Sequence, residues 1–559
     1  MSTQSTDKAL REEVALDQLQ AHNAAIAKGV RLTGSADEAE AFDYIAAQCE
    51  AFGLNVRRYA VDALVSLPGA ASLAVTGPEA RDFPCITHSA SRPTGPGGIT
   101  ASLVYACDGL AADYAKIDAR GKIALVEGLA GAPKASDGDA AGVLGIICIN
   151  PAGLHEMNFS PVWGTPTPAT APKLPQLAAI SVRKEIGDEL RELLDAGEVT
   201  VRIETEIDAG WRPIPVLTAD LPGADEDRFV LLSGHVDSWY HGAMDNASAN
   251  ATMLEIGRIF AAHPGELRRG LRLAFWSGHS HARYAGSSWY ADNFWAELRE
   301  RCICHVNAES TGGLGADELT GAGNMAETWQ FAAGPIREIA GQELRYRRMM
   351  RSHDQSFAGL GVPSMLSGLS AQPGGGLGWW WHTPDDTLDK IDPDRLVRDT
   401  QIYLATCWGL CTVPVLPFDY TATAGELGER LQVLATTAGD SFDLAPLVTA
   451  LAAFRDAATR LNRTSAASEA DPQSIETLNT ALLAVAHALI PVNYTEAGPY
   501  EVDLALGGPP LPGLRSLATL AKLDATSNES KFLRTKLVRE RNRIWDALNT
   551  ARQAIDRAL

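Results

Sequence analysis

Four short polar clusters hold the residues of this chain best suited to do chemistry. The first joins Gly234-His235-Val236-Asp237-Ser238 to Gly242-Ala243-Met244-Asp245-Asn246-Ala247-Ser248. The second is Gly278-His279-Ser280-His281, the third Asn307-Ala308-Glu309-Ser310, and the fourth Trp381-His382-Thr383-Pro384-Asp385-Asp386-Thr387. Imidazole and carboxylate together are the ligand set of zinc and similar first-row ions. A single histidine after a strand is more often a satisfied loop residue. Four such clusters on successive elements of one sheet point to a metal site, against the alternative of a structural polar rim.

The elements that must position these clusters alternate in type. Phe229–Ser233, Leu271–Trp276 and Ile303–Val306 are apolar strand-like runs, separated by predicted helices at Ala249–Ala262 and Trp289–Arg301. Strands alternating with helices predict an α/β fold, a mainly parallel central sheet with helices on both faces. In such sheets function collects in loops beyond the strand C-termini, where the polar clusters fall. Upstream, Ser35-Ala36-Asp37-Glu38 predicts a helix start before the periodic run Ala39–Phe52. Gly53 ends that helix, and Leu54–Tyr59 reads as a short strand.

From about Asp62 to Trp211 glycine, proline and alanine become frequent. Gly121–Val126 reads as a buried strand, Asp137–Ala141 leads through Gly142 into the apolar run Val143–Ile149, and Pro161–Pro168 is a stiff, irregular loop. This stretch is expected to be a self-contained α/β insert. After Pro417, apolar residues fall at helical spacing: Leu444, Leu447, Leu451, Phe454 and Leu461, then Ile475, Leu478, Leu482 and Leu489 behind Asp471-Pro472. A last helix from about Asn528 to Leu559 completes a predicted bundle. The expected division is 1–61 and 213–417 for the metal-bearing domain, 62–212 for the insert and 418–559 for the bundle.

These clusters resemble, in order and separation, the metal-site motifs of the co-catalytic zinc exopeptidases. That family includes bacterial leucyl aminopeptidases, glutamate carboxypeptidase II and the transferrin receptor. Gly361-Val362-Pro363 after Phe357 resembles the family's strand entry before its last histidine. The insert is similar to its protease-associated lid domain, and the helical tail to the dimerisation domain of its receptor branch. The resemblance implies two divalent ions, zinc in type. His235, Asp245 and Glu309 would hold one. Asp245 would bridge to a second, held also by His382 and a residue of the second cluster. A bridging carboxylate sets two ions about 3.5–4 Å apart, so that both polarise one water. Asp237 would accept the second imidazole N–H of His235; its plainer role is a turn former at the strand end.

One departure from the family pattern stands out. The family shows adjacent glutamates in the second cluster, the first a general base and the second a ligand. Here Trp276-Ser277-Gly278 on the left aligns the first glutamate with His279, and Gly286-Ser287 on the right aligns the second with His281, with Ser280 inserted between. His281 is then expected as a nitrogen ligand. His279 is either the general base or a structural loop histidine, and Ser280 could instead occupy the base position. Losing an anionic ligand makes the site more positive, which favours an anionic substrate or a more acidic bound water. Three further residues are candidates for substrate contact. Trp381 follows the Gly374–Gly378 stretch; it would bind an apolar group or pack beneath the site. Arg351 and His353, with Asp354, precede Phe357; Arg351 would hold a carboxylate or stay a solvated loop cation.

The expected activity is hydrolysis of an amide or peptide bond in a small molecule or short peptide. A changed reaction on the same metals (amidohydrolase, deacylase or lyase) and a non-catalytic binding role are the alternatives. The 559 residues exceed what one core supports. A net charge of −21 repels phosphate backbones, so nucleic acid is not an expected partner. No run of about 18 apolar residues occurs, and Met1–His22 lacks a basic start and apolar core, so a cytoplasmic protein without a membrane span is expected. The scattered cysteines, such as Cys148, read as small buried hydrophobes. The apolar helix faces after Pro417 exceed what one short bundle must bury, which predicts a homodimer.

Overall fold

Twelve strands form one hydrogen-bonded sheet in the computed structural model. The structure describes residues 8–76, 80–224, 227–467 and 471–559; the first seven residues of the polar N-terminal stretch lie outside it. The strands are β1 (Asn55–Val75), β2 (Arg81–Phe83), β3 (Ile86–Thr87), β4 (Ile99–Tyr105), β5 (Ile123–Glu127) and β6 (Gly145–Asn150). They continue with β7 (Ala178–Arg183), β8 (Thr200–Leu221), β9 (Phe229–His235), β10 (Gly270–Trp276), β11 (Cys302–Asn307) and β12 (Ser364–Met365). Their order is β12-β11-β9-β10-β8-β4-β5-β6-β7-β3, with β1 on β8 and β2 on β1.

The strands β9, β10 and β11 are buried at every position, as their mostly apolar composition suits strands covered on both faces. The strand β9 pairs in parallel with β10 and β11, β12 adds in parallel to β11, and β8 closes the other side antiparallel to β10. The C-terminal ends of β9, β10 and β11 therefore open on one edge, and the polar clusters start there. Helix Ala249–Ala262 follows the first cluster at the expected bounds. The expected helix Trp289–Arg301 is instead two, Ala285–Asn293 and Trp295–Arg301, broken at Phe294. Helix Ala36–Ala51 starts as its sequence predicts, with the Ser35 side chain accepting from the Glu38 amide.

The passage into the insert differs from the expected short strand. The strand β1 runs 21 residues and pairs with β8 from Asn55↔Asp220 to Val75↔Val201. Its register shifts between Pro68 and Ala71, so the proline and glycine mark a bulge rather than an end. The expected boundaries at 61/62 and 212/213 thus fall inside paired strands. Beyond the bulge, β4, β5, β6 and β7 form a parallel sheet with its own two apolar clusters.

The C-terminal helices are not a detached bundle. One apolar cluster runs from Val230 and Leu232 of β9 through Tyr403 and Trp408 to Tyr420, Phe454, Leu482 and Ile555. Polar ties cross the same junction: Asn479 accepts from the Leu416 amide and donates to the Pro414 carbonyl, and Arg269 donates to the Val413 and Pro414 carbonyls. Helix Pro472–Tyr494 has the length and apolarity of a membrane-crossing segment, and most of that apolar face is buried within the protein. A chain ended after Pro417 should therefore bind a hydrophobic dye strongly and aggregate on size exclusion. A monodisperse fragment that unfolds cooperatively would contradict the shared core.

Candidate metal centre

The first cluster delivers two side chains to a common point, and each of the others delivers one. His235 ends β9, Asp245 lies in the irregular turn before helix Ala249–Ala262, His279 follows β10, and Glu309 follows β11. His235 Nε2 is 3.1 Å from Asp245 Oδ1 and 3.2 Å from Glu309 Oε1. The other Asp245 oxygen is 3.0 Å from His382 Nε2. The His279 ring stacks on His235 at 3.7 Å between centroids, 15° from parallel. Donor atoms of His235, His279 and Glu309 all lie within 4.8 Å of one another.

The three histidines share one arrangement. Nδ1 of His235 is 2.8 Å from the Asp237 carbonyl, Nδ1 of His382 is 2.6 Å from the Glu156 carbonyl, and Nδ1 of His279 is 2.7 Å from Asp354 Oδ2. A carbonyl can only accept, so Nδ1 of His235 and of His382 carries a proton, and Nε2 is the nitrogen turned to the carboxylates of Asp245 and Glu309. Burial opposes charge on His235, but Glu309 and Asp245 overcome it and hold its pKa well above the ordinary value. Burial lowers His382, with Asp245 opposing, and pushes His279 down to about 3, with His235 adding to the effect. Two buried carboxylates facing these imidazole nitrogens require a cation: a proton on His235, or a metal ion. The donors fit a divalent metal.

A second ring of residues fixes the loops. Asp386 accepts from the Met244 and Asp245 amides at 2.9 and 3.0 Å. Asn246 accepts from the Ser310 amide and donates to the Ala308 carbonyl, joining the Asp245 turn to the Glu309 loop. Asn250 donates to the His235 and Asn246 carbonyls. Fully buried Arg31 donates to the carbonyls of Val236, His241 and Gly242. Gly242 has φ +54°, and a Cβ there would lie 2.3 Å from the Asp245 carbonyl, so only glycine fits this turn. Non-glycine residues at positive φ also gather here: Ser310, His353, Asp354 and His382.

Residues 217–407 match the family model described as peptidase family M28. Among curated relatives, a probable glutamate carboxypeptidase VP8 of Zea mays is 24% identical over 73% of this chain and 69% of its own length. Aminopeptidase YwaD of Bacillus subtilis is 26% identical over 68% of this chain and 81% of its own length. An aminopeptidase from Aneurinibacillus sp. strain AM-1 shares the fold, with TM-score 0.57 and 22% identity over 74% of this chain and 97% of that one. The zinc aminopeptidase BSAP of Bacillus subtilis does so at TM-score 0.55, with 22% identity over 72% of this chain and 96% of that one. Over residues 217–407 the chain resembles peptidase family M28.

Within this matched region His235, Asp245, Glu309 and His382 come together. The second cluster departs from expectation: His279, not His281, joins His235 and Glu309. The cause is the turn around Asp237, whose carboxylate accepts from the His279 and Ser280 amides at 3.2 and 2.8 Å, so that alternate side chains diverge. His281 turns back to Thr33: its Nδ1 is 3.1 Å from the Thr33 hydroxyl, which itself donates to Asp237. His281 Nε2 is buried without a partner, and the Trp239 ring packs against both His281 and His382. Asp237 therefore differs from its expected part. Its backbone carbonyl meets His235, while its carboxylate stays 3.8 Å away and organises the second loop.

The expected substrate contacts are also engaged elsewhere. Arg351 turns its fork to the Leu504 and Tyr494 carbonyls and to Asp503 in the C-terminal region, away from the metal residues. His353 Nδ1 instead meets the Ser367 hydroxyl at 2.9 Å. Trp381 stacks on His382 at 3.5 Å, packing on the centre rather than standing free. Sequence reasoning gave no role to Asp386, Asn246 or Asp354, though all lie in or beside the clusters. Arg31, Thr33 and Glu156 are distant in sequence and carry no motif. Asp386→Ala should lower unfolding free energy by about 1–3 kcal/mol, because it strands two buried amides. It should also weaken zinc affinity by about 10–100-fold. Urea unfolding and chelator competition measure the two, and wild-type values in both would contradict this role.

Proposed function

We propose that this protein is a zinc-dependent exopeptidase that cleaves the amide bond of a small substrate or short peptide. The observation that carries the reading is the Asp245 carboxylate, held between His235 and His382 within the region that resembles family M28. Relatives named as aminopeptidase and as probable glutamate carboxypeptidase support the reaction class. Asp245 and Glu309 neutralise one divalent ion, so the tighter position is assigned to the His235–Glu309 side. Asp245 and His382 offer a weaker second position, giving two ions at saturation. Bound there, zinc would polarise the scissile carbonyl and acidify a water. Histidines in place of both glutamates leave the centre more positive, which favours a substrate with an acidic group.

We assign the helices after Pro417 a second copy of the chain as partner. Val433, Val448, Phe532 and Trp545 expose large apolar side chains there, Phe532 at 72%. Sedimentation at micromolar concentration should give a dimer; a stable monomer would remove this assignment.

The activity is tested with protein purified without chelator and a panel of neutral and acidic dipeptides. Hydrolysis should stop on zinc removal, return on zinc addition, and favour the acidic members. His235→Ala should lose both tight zinc binding and turnover. Wild-type protein that takes up no zinc and cleaves nothing in the panel would overturn the reading.

A further inference from the structure

The His279 imidazole is tied to the inserted domain by a chain of buried hydrogen bonds. Asp354 Oδ2 faces His279 Nδ1 at 2.7 Å, and Asp354 Oδ1 accepts from Ser287 Oγ at 2.6 Å. Ser287 Oγ meets Ser356 Oγ at 2.9 Å, and Trp163 Nε1 of the insert donates to Ser356 Oγ at 2.9 Å. The direction of every bond follows from its ends. An indole N–H can only donate, and the Ser287 proton is already given to Asp354, so Ser356 must donate to Ser287. All donors therefore point toward Asp354. A carboxylate that receives both Ser287 and His279 leaves the His279 proton on Nδ1 and its lone pair on Nε2. That is the state in which an imidazole binds metal, and a carboxylate behind the ring raises its basicity.

A second route runs beside the first. The Trp163 ring packs on Tyr284 at 4.2 Å, and Tyr284 meets the His279 ring edge-on at 4.9 Å. Trp163, Tyr284 and Ala505 form a small buried cluster of their own, and the Gly164 amide donates to the Arg283 carbonyl at 2.6 Å. The insert loop is thus clamped onto the residues just after the second cluster.

We propose that His279 is a metal ligand, rather than a general base, held by Asp354 and, through Ser287 and Ser356, by Trp163, so that metal retention depends on seating of the inserted domain. This deepens the zinc-dependent reading above and rests on it. Asp354 and Trp163 are positioning residues in this scheme; of these three residues, only His279 touches the ion.

The experiment is zinc competition against a chromophoric chelator, using the full-length protein and zinc alone as probe. Visible spectra of the cobalt-substituted forms and thermal unfolding accompany each variant. His279→Ala should weaken zinc binding most, and Asp354→Ala by about 10–100-fold. Asp354→Asn, which keeps an acceptor for Nδ1, should recover part of that loss. Trp163→Phe keeps the ring on Tyr284 but removes the N–H; it should weaken binding by less than Asp354→Ala and alter the cobalt spectrum. His279→Ala with wild-type zinc affinity would overturn the proposal, and lost turnover in that variant would make His279 the base. Unchanged affinity in Asp354→Ala would remove its positioning role, and unchanged affinity and spectrum in Trp163→Phe would remove the insert's part. Wild-type protein that binds no zinc would instead bring down the zinc-dependent reading itself.

Discussion

The rest of the centre depends on one buried carboxylate, Asp245, placed between two imidazoles. Removing a carboxylate from water is costly unless a cation or several donors compensate. Asp245 is 4% exposed, and Glu309 beside it is also 4% exposed. Two such anions make the pocket a place that must hold positive charge. This sets the tautomers around it, because an imidazole useful to a cation must carry its proton on the outward nitrogen. The carbonyls of Asp237 and Glu156 accept that proton for His235 and His382. Those carbonyls belong to loops, so the loops must be rigid. Asp386, Asn246, Asn250 and Arg31 supply the rigidity by bonding backbone groups rather than the ligands themselves.

The inserted domain belongs to this construction. It supplies the Glu156 carbonyl to His382, and Asn158 donates to the Ser280 carbonyl at 2.8 Å. Tyr240, just beyond the first cluster, donates to the Glu156 carboxylate, whose pKa burial pushes up to about 7 against that hydrogen bond. The continuous β1–β8 ribbon explains how a domain grown from a strand interior can be placed this accurately. A paired ribbon with one bulge transmits orientation from one sheet to the next, where a loose linker would not. The C-terminal region closes the third side, with the Ala505 amide donating to the Pro161 carbonyl at 2.7 Å.

Legibility in the sequence followed the range of the forces involved. Buried strands such as β9 and β11 and capped helices such as Ala36–Ala51 are local events, and composition with a capping serine announces them. The approach of His235 and Glu309 was readable because each ends or follows a strand of one sheet, and parallel topology brings those ends to one edge. The second cluster was harder. Flanking motifs count residues along the chain, but side-chain direction in a tight loop depends on which amides are captured. The Asp237 carboxylate captures two successive ones, and His279 rather than His281 then faces His235 and Glu309. Arg31 and Thr33 were invisible for a related reason: a buried arginine that bonds only carbonyls recognises backbone shape, which no neighbouring residue type encodes. The long β1 is not legible because clear alternation stops at Tyr59, while pairing with β8 carries the strand on to Val75.

The exchange of glutamates for histidines redistributes charge instead of deleting it. A glutamate ligand would place its negative charge directly on the ion. As a ligand, His279 would place a neutral nitrogen there, with the charge behind it on Asp354, across the width of the ring. Coulomb attraction weakens with that added distance, so a bound ion would keep more of its own field for substrate and water. The cost is precision. A carboxylate can turn about its own axis to follow an ion, whereas an imidazole must present one lone pair along one line. That line is set by Asp354, whose second oxygen is held by Ser287, and Ser287 in turn by Ser356 and Trp163. A ligand with stricter geometry thus calls for a longer supporting chain, and in this fold that chain ends on Trp163 of the inserted domain.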